Sequence, residues 1–200
     1  MQRQLLCKSM YARIGKEGNI MEKEYKKVRQ ELAYKGHIID VYKDIVELPN
    51  GKQVEWDLVK HKGASAVVAV DQDGKIIMVR QYRNSLERMS LEIPAGGINE
   101  GEEPKMSALR ELEEEAGQKA GKIEHLVDAI TAIGFCNEVV YIYLATELVE
   151  TEQHLDEDEF VQIERYSVEE LIDMIIEGKI KDAKTIAGVL TYKAKYIDKK

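Results

Sequence analysis

Apolar and polar positions early in the chain predict a pair of β-strands joined by a tight turn. Residues 37–46 are rich in β-branched side chains and alternate in part, and residues 53–59 continue the same pattern. Asn50-Gly51 lies between these stretches, and this dipeptide is the strongest short-range signal for a hairpin. A type I′ turn needs two central residues with positive φ, and Asn-Gly adopts such angles readily. The pattern therefore predicts a hairpin with a type I′ turn over residues 37–60.

The pattern after residue 60 predicts further strands. Residues 64–70 are almost all apolar and residues 75–82 are mixed, with Asp71-Gln72-Asp73-Gly74 as a tight turn between them. Four more short strands are predicted at residues 91–93, 129–132, 139–144 and 160–166.

Three helices are predicted from the signals at their ends. The first covers residues 104–116, with proline at its first position and Gly117 directly after its end. A capping box, Ser167-Val168-Glu169-Glu170, opens the second helix, which we expect to stop at Gly178. The third runs from residue 182 to about residue 194 and carries a helical apolar stripe. Strands and helices alternate, which predicts a mixed β-sheet with helices on its faces.

Composition and charge narrow the class of protein. The 200 residues are enough for one domain, or for one domain with a small appendage. The net charge of −8 argues against a general nucleic-acid binder, which would carry a basic surplus. No apolar run approaches the ~18 residues of a membrane span, and Cys7 and Cys136 are too few for a disulfide framework or a four-thiolate zinc site. We therefore expect a cytoplasmic protein, with residues 1–20 as a poorly ordered extension.

The helix predicted at residues 104–116 carries an unusual concentration of acid, with four carboxylates within residues 111–115. Like charges three or four residues apart destabilise a helix, and the last turn of a helix favours cations. A divalent cation would reverse both penalties, and carboxylate oxygens favour Mg²⁺, Mn²⁺ or Ca²⁺ over Zn²⁺. Helical spacing separates a predicted core face from an acidic face: Leu109, Leu112 and Ala116 against Glu111, Glu114 and Glu115.

An acidic helix on its own is most simply a solvated face, but the residues before this helix favour a ligand site. Glu92-Ile93-Pro94-Ala95-Gly96-Gly97 is the end of a predicted strand followed by two glycines. Glycines allow backbone amides and carbonyls to approach a ligand closely, and this loop leads directly to the helix that carries the acids.

The spacing of these residues resembles the Nudix box. Gly96 is followed after five residues by Glu102, and after seven more by Arg110-Glu111-Leu112-x-Glu114-Glu115-x-Gly117. All the charged and glycine positions match, and the one departure is Gln118, where the family usually has an aliphatic residue. So many fixed positions in one short segment seldom arise by chance.

Further segments resemble the ADP-ribose pyrophosphatase branch of that family. The resemblance covers roughly residues 37–195, and Ile133 stands where the branch commonly has a proline, which bears on the choice of substrate. The matching segments lie before and after the box, at Met78–Arg83, Leu91–Gly96, Gly134–Glu138 and Asp156–Val161.

The resemblance implies a fold, an assembly and a reaction. The fold would be α+β, a Nudix α/β/α sandwich with a mixed sheet over residues 61–200, while residues 21–60 would form a β segment used to build a homodimer. The reaction would be metal-dependent hydrolysis of the diphosphate of ADP-ribose, a nucleoside diphosphate sugar, to AMP and ribose 5-phosphate. Mg²⁺ would be the cofactor, with Mn²⁺ able to replace it. No nucleic-acid or membrane partner is expected.

The resemblance also assigns roles to residues of the loop and the helix. Glu111 and Glu115 would bind the metal with help from the carbonyl of Ala95. The two acids are one helical turn apart, so they can hold one ion together. Glu114 would bind a second metal or position the attacking water. Both Glu114 and Glu115 would count as catalytic residues. Arg110 more simply pairs with a nearby carboxylate than touches the substrate.

Residues elsewhere in the chain complete the implied site. Glu159 matches a loop position that supplies a further carboxylate to the metal and the attacking water, with Glu157 as the competing residue. Arg83 matches an arginine that contacts the diphosphate, and its alternative role is a surface strand charge. Trp56 matches an aromatic that stacks on adenine, often across a subunit boundary, and Asp57 a neighbouring position that contacts the substrate. A core or dimer-interface position is at least as common for a lone tryptophan.

Two other functions stay open. Another Nudix activity, on a different nucleoside diphosphate sugar or a dinucleotide, would share the catalytic helix and differ around Trp56, Arg83 and Ile133. A non-catalytic Nudix domain that senses a nucleotide is the alternative from another class, although it would not need the metal-binding acids. A calcium-binding module is disfavoured because the chain has no Asp-x-Asp-x-Asp-Gly loop.

Overall fold

The computed structural model describes residues 24–155 and 159–199, which form two β-sheets and three α-helices. The extension expected at residues 1–20 lies outside the described residues. One sheet has three strands and the other has seven. None of the helices in the described part of the chain is both long and apolar enough to cross a membrane.

The first sheet consists of three antiparallel strands, β1 (Lys26–Lys35), β2 (Asp40–Glu47) and β3 (Gln53–Lys60). β2 and β3 form the predicted hairpin in continuous register, with Asp44 opposite Trp56. The sequence pattern does not predict β1, because this segment is strongly charged and almost all of its residues are exposed. It is held by backbone pairing with β2 rather than by burial of its own side chains.

The turn between β2 and β3 is not the predicted type I′ turn. Gly51 has a φ of 82°, whereas Asn50 is not among the residues with positive φ. The amide of Leu48 donates to the carbonyl of Lys52 at 2.8 Å, and the amide of Gly51 donates to the carbonyl of Leu48 at 2.8 Å. The connection is therefore a three-residue loop that ends in a left-handed glycine. Pro49 explains the difference, because its fixed φ suits the first central position of a type I turn.

The second sheet is mixed. Its strands are β4 (Ala64–Val70), β5 (Ile76–Arg83), β6 (Arg88–Glu92), β7 (Ala95–Gly97), β8 (Gln118–Ile130), β9 (Val139–Glu150) and β10 (Gln162–Tyr166). The main path runs in the order β10-β5-β4-β9-β8, while β6 pairs with β5 and β7 pairs with β4. β4 and β9 run parallel, and the other pairs are antiparallel.

Helices cover both faces of this sheet. They are α1 (Pro104–Ala116), α2 (Val168–Ile176) and α3 (Ala183–Tyr192), which continues into a π-helical turn at Lys193–Ile197. On one face, Leu112 of α1 packs in a buried cluster with Val67. On the other face, Val189 of α3 packs in a second cluster with Val68. Successive side chains of β4 therefore supply the two cores, and the predicted α/β/α sandwich is confirmed.

Two details differ from the sequence pattern. β8 has 13 residues, whereas the prediction covered only residues 129–132, because charged residues and Gly121 interrupt the alternation of its earlier part. Leu109, predicted to face the core, is only partly buried. Ala108 takes that place and forms a buried stripe with two other residues of α1 spaced four apart, Leu112 and Ala116.

Candidate active site

Helix α1 presents two carboxylates from its buried side. Glu111 and Glu115 are only 8% and 3% exposed, whereas Glu114 is partly exposed. The helix ends directly after this acidic turn, because Gly117 is left-handed, with a φ of 58°, and its amide donates to the carbonyl of Glu113. Burying two carboxylates one turn apart costs free energy unless a partner compensates for the lost hydration.

The loop before α1 fits closely around the buried acids. β7 holds Gly96 opposite Ser65 of β4. The amide of Ala95 donates to Glu115 Oε2 at 2.8 Å. A Cβ at Gly96 would overlap the carboxyl group of Glu111, so only glycine leaves room for this carboxylate against the backbone.

Arg110 ties the acids to the same loop. Its Nη1 donates to Glu111 at 2.6 Å and to Glu114 at 2.8 Å. Its Nε and Nη2 donate to Glu102 at 2.9 and 3.0 Å, and Nη2 also donates to the carbonyl of Gly97 at 3.0 Å. The predicted pairing of Arg110 with carboxylates is confirmed. This pairing also lowers the pKa of Glu102.

Burial changes the ionisation of the two inner acids. Burial raises the pKa of Glu115 to about 7; the charges of Glu111 and Glu159 add to the rise, while a backbone amide and Arg83 oppose it. Burial likewise raises the pKa of Glu111, against the opposing effect of Arg110. A nearby cation favours the ionised form of a carboxyl group, so these acids are suited to bind one.

The segment after β9 is bonded to the C-terminal end of α1. Hydrogen bonds run from Thr151 N–H to the Gly117 carbonyl (2.9 Å), from Gln153 Nε2 to the Glu115 carbonyl (2.6 Å) and from His154 N–H to the Glu114 carbonyl (3.0 Å). Glu159 follows this segment, and its charge raises the pKa of both Glu111 and Glu115. The fold therefore brings Glu159 near the acids of α1. Glu157 lies outside the described residues.

Arg83, at the end of β5, is bound to a buried carboxylate instead of lying free on the surface. Its Nε and Nη2 donate to the two oxygens of Glu92, at 2.9 and 2.7 Å. Lys184 donates to the same carboxylate at 2.5 Å and to Asp182 at 3.0 Å. Burial alone would raise the pKa of Glu92, but Arg83 and Lys184 lower it to about 2. Arg83 and Lys184 thus hold this carboxylate in its ionised form beside the acidic cluster.

Trp56 and Asp57 lie on β3, in the three-stranded sheet. Trp56 is 49% exposed and its ring centroid is 6.1 Å from that of Tyr25, so this tryptophan is not a core residue. Asp57 is exposed, opposite Lys43 of β2. Within residues 24–155 and 159–199, no hydrogen bond, ion pair or ring contact joins Trp56 or Asp57 to the acids of α1.

The acidic cluster suits a hard divalent cation. Its donors are carboxylate oxygens, which Mg²⁺ and Mn²⁺ prefer, and the lack of a side chain at Gly96 lets one of these carboxylates lie against the loop. Glu111 and Glu115 are the buried members that could hold such an ion. In the part of the chain that the structure describes, no three side chains of the usual metal-binding kinds converge on one point, and Arg110 holds Glu111 and Glu114.

Three residues of this site have no assigned role in the sequence pattern. Gln81 Nε2 donates to Glu115 Oε1 at 3.3 Å, and Lys184 reaches Glu92 from α3. Neither Gln81 nor Lys184 carries a local signal. Glu92 does carry one, because an acid between Leu91 and Ile93 in a buried strand needs a partner.

Comparisons with known proteins show which family and which proteins this chain resembles. The family model described as NUDIX domain matches residues 59–189, more than half of the chain. An ADP-ribose pyrophosphatase from Bacillus subtilis (strain 168) is 45% identical over 168 residues, which cover 83% of this chain and 91% of that protein. A methanol dehydrogenase activator from Bacillus methanolicus is 41% identical over 168 residues, with the same two coverages of 83% and 91%.

A further relative and a solved structure agree with these matches. An ADP-ribose pyrophosphatase from Mycobacterium tuberculosis (strain ATCC 25618 / H37Rv) is 38% identical over 177 residues, 86% of this chain and 85% of that protein. The crystal structure of an ADP compounds hydrolase superposes with a TM-score of 0.77 and covers 89% of this chain and 96% of that chain. Its sequence identity is 21%, so this likeness bears on the fold alone.

Proposed function

The chain belongs to the Nudix hydrolase family, and we propose that it hydrolyses the diphosphate of ADP-ribose to AMP and ribose 5-phosphate with the help of divalent metal ions. The observation that carries the proposal is the burial of Glu111 and Glu115 against the Gly96 loop. Two buried carboxylates are costly without a cation, and metal cations in turn neutralise the charge of a diphosphate. The relatives named ADP-ribose pyrophosphatase support the choice of substrate.

We propose Mg²⁺ as the metal, with Mn²⁺ able to replace it. Glu111 and Glu115 would hold the ion with the carbonyl of Ala95, while Glu114 and Glu159 would complete the set of carboxylates. When bound, the cation supplies positive charge at the phosphates and lowers the pKa of a bound water. The raised pKa of Glu115, about 7, fits this role, because a cation would favour its ionised form near neutral pH.

The proposed reaction forms one P–O bond and breaks another. The oxygen of a water bonds to one phosphorus, and the bridging oxygen leaves with the other phosphate, so that each product carries one phosphate. We assign the proton of the water to Glu159, with Glu157 as the competing residue. Arg83, fixed by two bonds to Glu92, would bind the diphosphate and stabilise the charge that develops on the leaving phosphate.

We propose that the adenine ring stacks on Trp56, with Asp57 as a neighbouring contact. The half-exposed indole is a suitable platform, because aromatic rings stack on nucleic-acid bases with useful affinity. Trp56 lies on the three-stranded sheet, so we also propose that residues 21–60 join two copies of the chain into a homodimer. The hydrolase domain at residues 61–200 would then receive its adenine contact across the subunit boundary.

Another nucleoside diphosphate substrate is the second candidate. The observation that favours it is that two relatives of nearly equal similarity, 45% and 41% identical, carry different names. Overall similarity at this level therefore does not determine the substrate by itself.

A substrate panel tests the proposed function. The purified full chain would be assayed with ADP-ribose, other nucleoside diphosphate sugars and dinucleotides, each with Mg²⁺, Mn²⁺ or Ca²⁺, and the products separated by chromatography. We expect the highest kcat/KM for ADP-ribose, with AMP and ribose 5-phosphate as products and no turnover in EDTA. A higher kcat/KM for another compound would favour the second candidate, and tight binding without any turnover would favour a nucleotide sensor.

A further inference from the structure

A groove lined in part by Arg83, Glu92 and Lys184 also carries positive charge to which the proposed reaction assigns no role. Its volume is about 520 Å³, and it lies between the β5–β6 connection and the segment that leads into α3. This volume is within the usual range for small-molecule sites. The charged residues that line the groove are basic Arg80, Arg83, Arg88, Lys179, Lys181 and Lys184, and acidic Glu92 and Asp182. Such a basic surplus is opposite in sign to the net charge of the chain, −8.

Two of these basic side chains have no partner. Within residues 24–155 and 159–199, the side chains of Arg88 and Lys181 form no hydrogen bond or ion pair, and both residues are exposed. The other four bind carboxylates: Arg80 binds Glu164, Arg83 and Lys184 bind Glu92, and Lys179 binds Glu177. The groove is therefore lined by four paired and two unpaired cations.

Apolar side chains lie in the same groove. Leu86 and Met89, on the β5–β6 connection and the start of β6, are about half exposed although they are large and apolar. Met174 and Ile180 line the opposite side. A ligand here would meet both a positive charge and an apolar surface, which is a poor match for a simple inorganic ion.

We propose that this groove binds a phosphomonoester, with its phosphate at Arg88 and Lys181 and its organic part against Leu86 and Met89. A phosphomonoester carries between one and two negative charges at neutral pH, which two unpaired cations can balance. Arginine adds a fork of donors that matches phosphate oxygens. The site differs from the acidic cluster, which without a cation would repel an anion. It also goes beyond the proposed function, because binding here requires neither a metal nor hydrolysis.

Titration calorimetry on the full chain in EDTA and low salt tests the proposal. The probes are ribose 5-phosphate and AMP as organic phosphomonoesters, inorganic phosphate as the shared anion, and ribose as the neutral control. We expect at least one of the two esters to bind more tightly than inorganic phosphate, and ribose not to bind. The proposal is overturned if neither ester binds, or if inorganic phosphate binds as tightly as both.

Paired variants locate the binding. Arg88→Ala/Lys181→Ala should raise the dissociation constant of the bound ester at least about tenfold, since hydrogen bonds to charged groups contribute strongly. Lys52→Ala/Lys75→Ala, at two exposed hairpin turns, should leave the constant unchanged although it removes the same charge. Equal weakening by both pairs, or by neither, would show that the phosphate does not bind in this groove.

A second measurement separates this proposal from the proposed function. Hydrolysis of ADP-ribose by the unsubstituted chain is assayed with Mg²⁺, whereas ester binding is measured in EDTA. If ADP-ribose is not hydrolysed, the proposed activity is wrong. Ester binding in EDTA is then judged from the calorimetry alone. Arg88 and Lys181 are exposed and unpaired, so we expect the variant to fold, and circular dichroism with a melting curve checks this.

Discussion

Glu115 combines burial with a polar carboxyl group that accepts hydrogen bonds from two different strands. Its carboxylate accepts the amide of Ala95 at 2.8 Å and the side chain of Gln81 at 3.3 Å. These bonds orient the oxygens, while burial and the charges of Glu111 and Glu159 keep its pKa high. Burial of such a group costs free energy if its role is only structural, whereas it suits a ligand for a cation.

Glu115→Gln should lower kcat/KM for ADP-ribose by at least about 10³-fold, because the loss of one charged ligand weakens metal binding and the charge stabilisation that depends on it. The assay is initial-rate kinetics with saturating Mg²⁺. Glu113→Gln is the matched control on the same helix, where the side chain is bonded to Lys119 at the surface and its loss should matter little. Turnover close to that of the unsubstituted chain in Glu115→Gln would remove Glu115 from the proposed metal site.

The same substitution tests the pKa of Glu115 without any metal. A carboxyl with a raised folded-state pKa keeps its proton in the fold after the unfolded chain has lost it, so stability falls as pH rises from 4.5 to about 7. In EDTA at pH 8, Glu115→Gln should therefore be the more stable protein by up to about 3 kcal/mol. Urea unfolding at pH 8 and pH 5 measures this, and the difference should be much smaller at pH 5. A variant less stable than its parent at pH 8 would contradict the assignment.

Trp56→Ala should raise KM for ADP-ribose by about 5- to 150-fold with little change in kcat, since stacking on a base contributes about 1–3 kcal/mol. The contact is remote from the phosphorus, so it should be equal in the ground and transition states. Trp56→Phe is the control, because it keeps an aromatic face and its KM should rise less.

Trp56 is the only tryptophan, so its fluorescence should change on titration with ADP-ribose and a metal that does not support turnover. Unchanged kinetics and emission would leave the adenine contact unassigned.

At the scale of elements, the site depends on hydrogen-bonded junctions between segments that are far apart in the chain. The segment after β9 is bonded to the last carbonyls of α1, which directs the chain toward Glu159. β5, β6 and α3 meet at the carboxylate of Glu92. Each junction is made by hydrogen bonds to backbone carbonyls or to a buried carboxylate. These bonds fix the relative positions of the elements that they connect.

The ion pairs of Glu92 with Arg83 and Lys184 should make the stability of the fold sensitive to acid. Arg83 and Lys184 lower the pKa of Glu92 from 4.5 to about 2, so its contribution to stability is fully present above pH 4.5 and is lost as pH falls through about 2. At pH 7, Glu92→Gln should lower the free energy of unfolding by about 3 kcal/mol or more. Chemical denaturation from pH 7 to pH 2 measures the difference, which should shrink below pH 4.5. Glu177→Gln, a surface acid bonded to Lys179, is the control and should show little effect.

At the scale of the whole molecule, the three-stranded sheet leaves large apolar side chains in solvent. They are Val28, Leu32 and Tyr34 of β1 and Ile38 of the β1–β2 connection, each about half exposed or more. Exposed apolar patches of this kind usually mark an interaction surface. The homodimer proposed above would cover them.

The full chain should therefore sediment as a dimer, and Val28→Asp/Leu32→Asp should shift it to a monomer, because two buried charges would oppose the interface. Sedimentation velocity makes the measurement. Val149→Asp is a control, since Val149 is an even more exposed valine, 63% against 48% for Val28, on β9 of the other sheet, and its substitution should leave the dimer intact. A fully active monomer of the unsubstituted chain would contradict the proposal.

Features that depend on neighbouring residues could be predicted from the sequence alone. Pro104 and Gly117 bound α1 as predicted, and the capping box at Ser167 opens α2 with both of its hydrogen bonds present. The spacing of Gly96, Glu102 and the acids also identified the family, because those residues meet within one loop and one helix. Such signals are local, so they can be recognised without the rest of the fold.

The contacts that each of these residues makes follow from the tertiary fold and could not be predicted from the sequence. Ala108, not Leu109, faces the core because the sheet lies against that side of α1. β1 forms although its own residues bury little, because β2 offers a strand edge. Lys184 reaches Glu92 from α3 across more than ninety positions of sequence. Burial, charge pairing and the pKa values that follow from them depend on residues distant in the chain, and no pattern along the sequence carries that information.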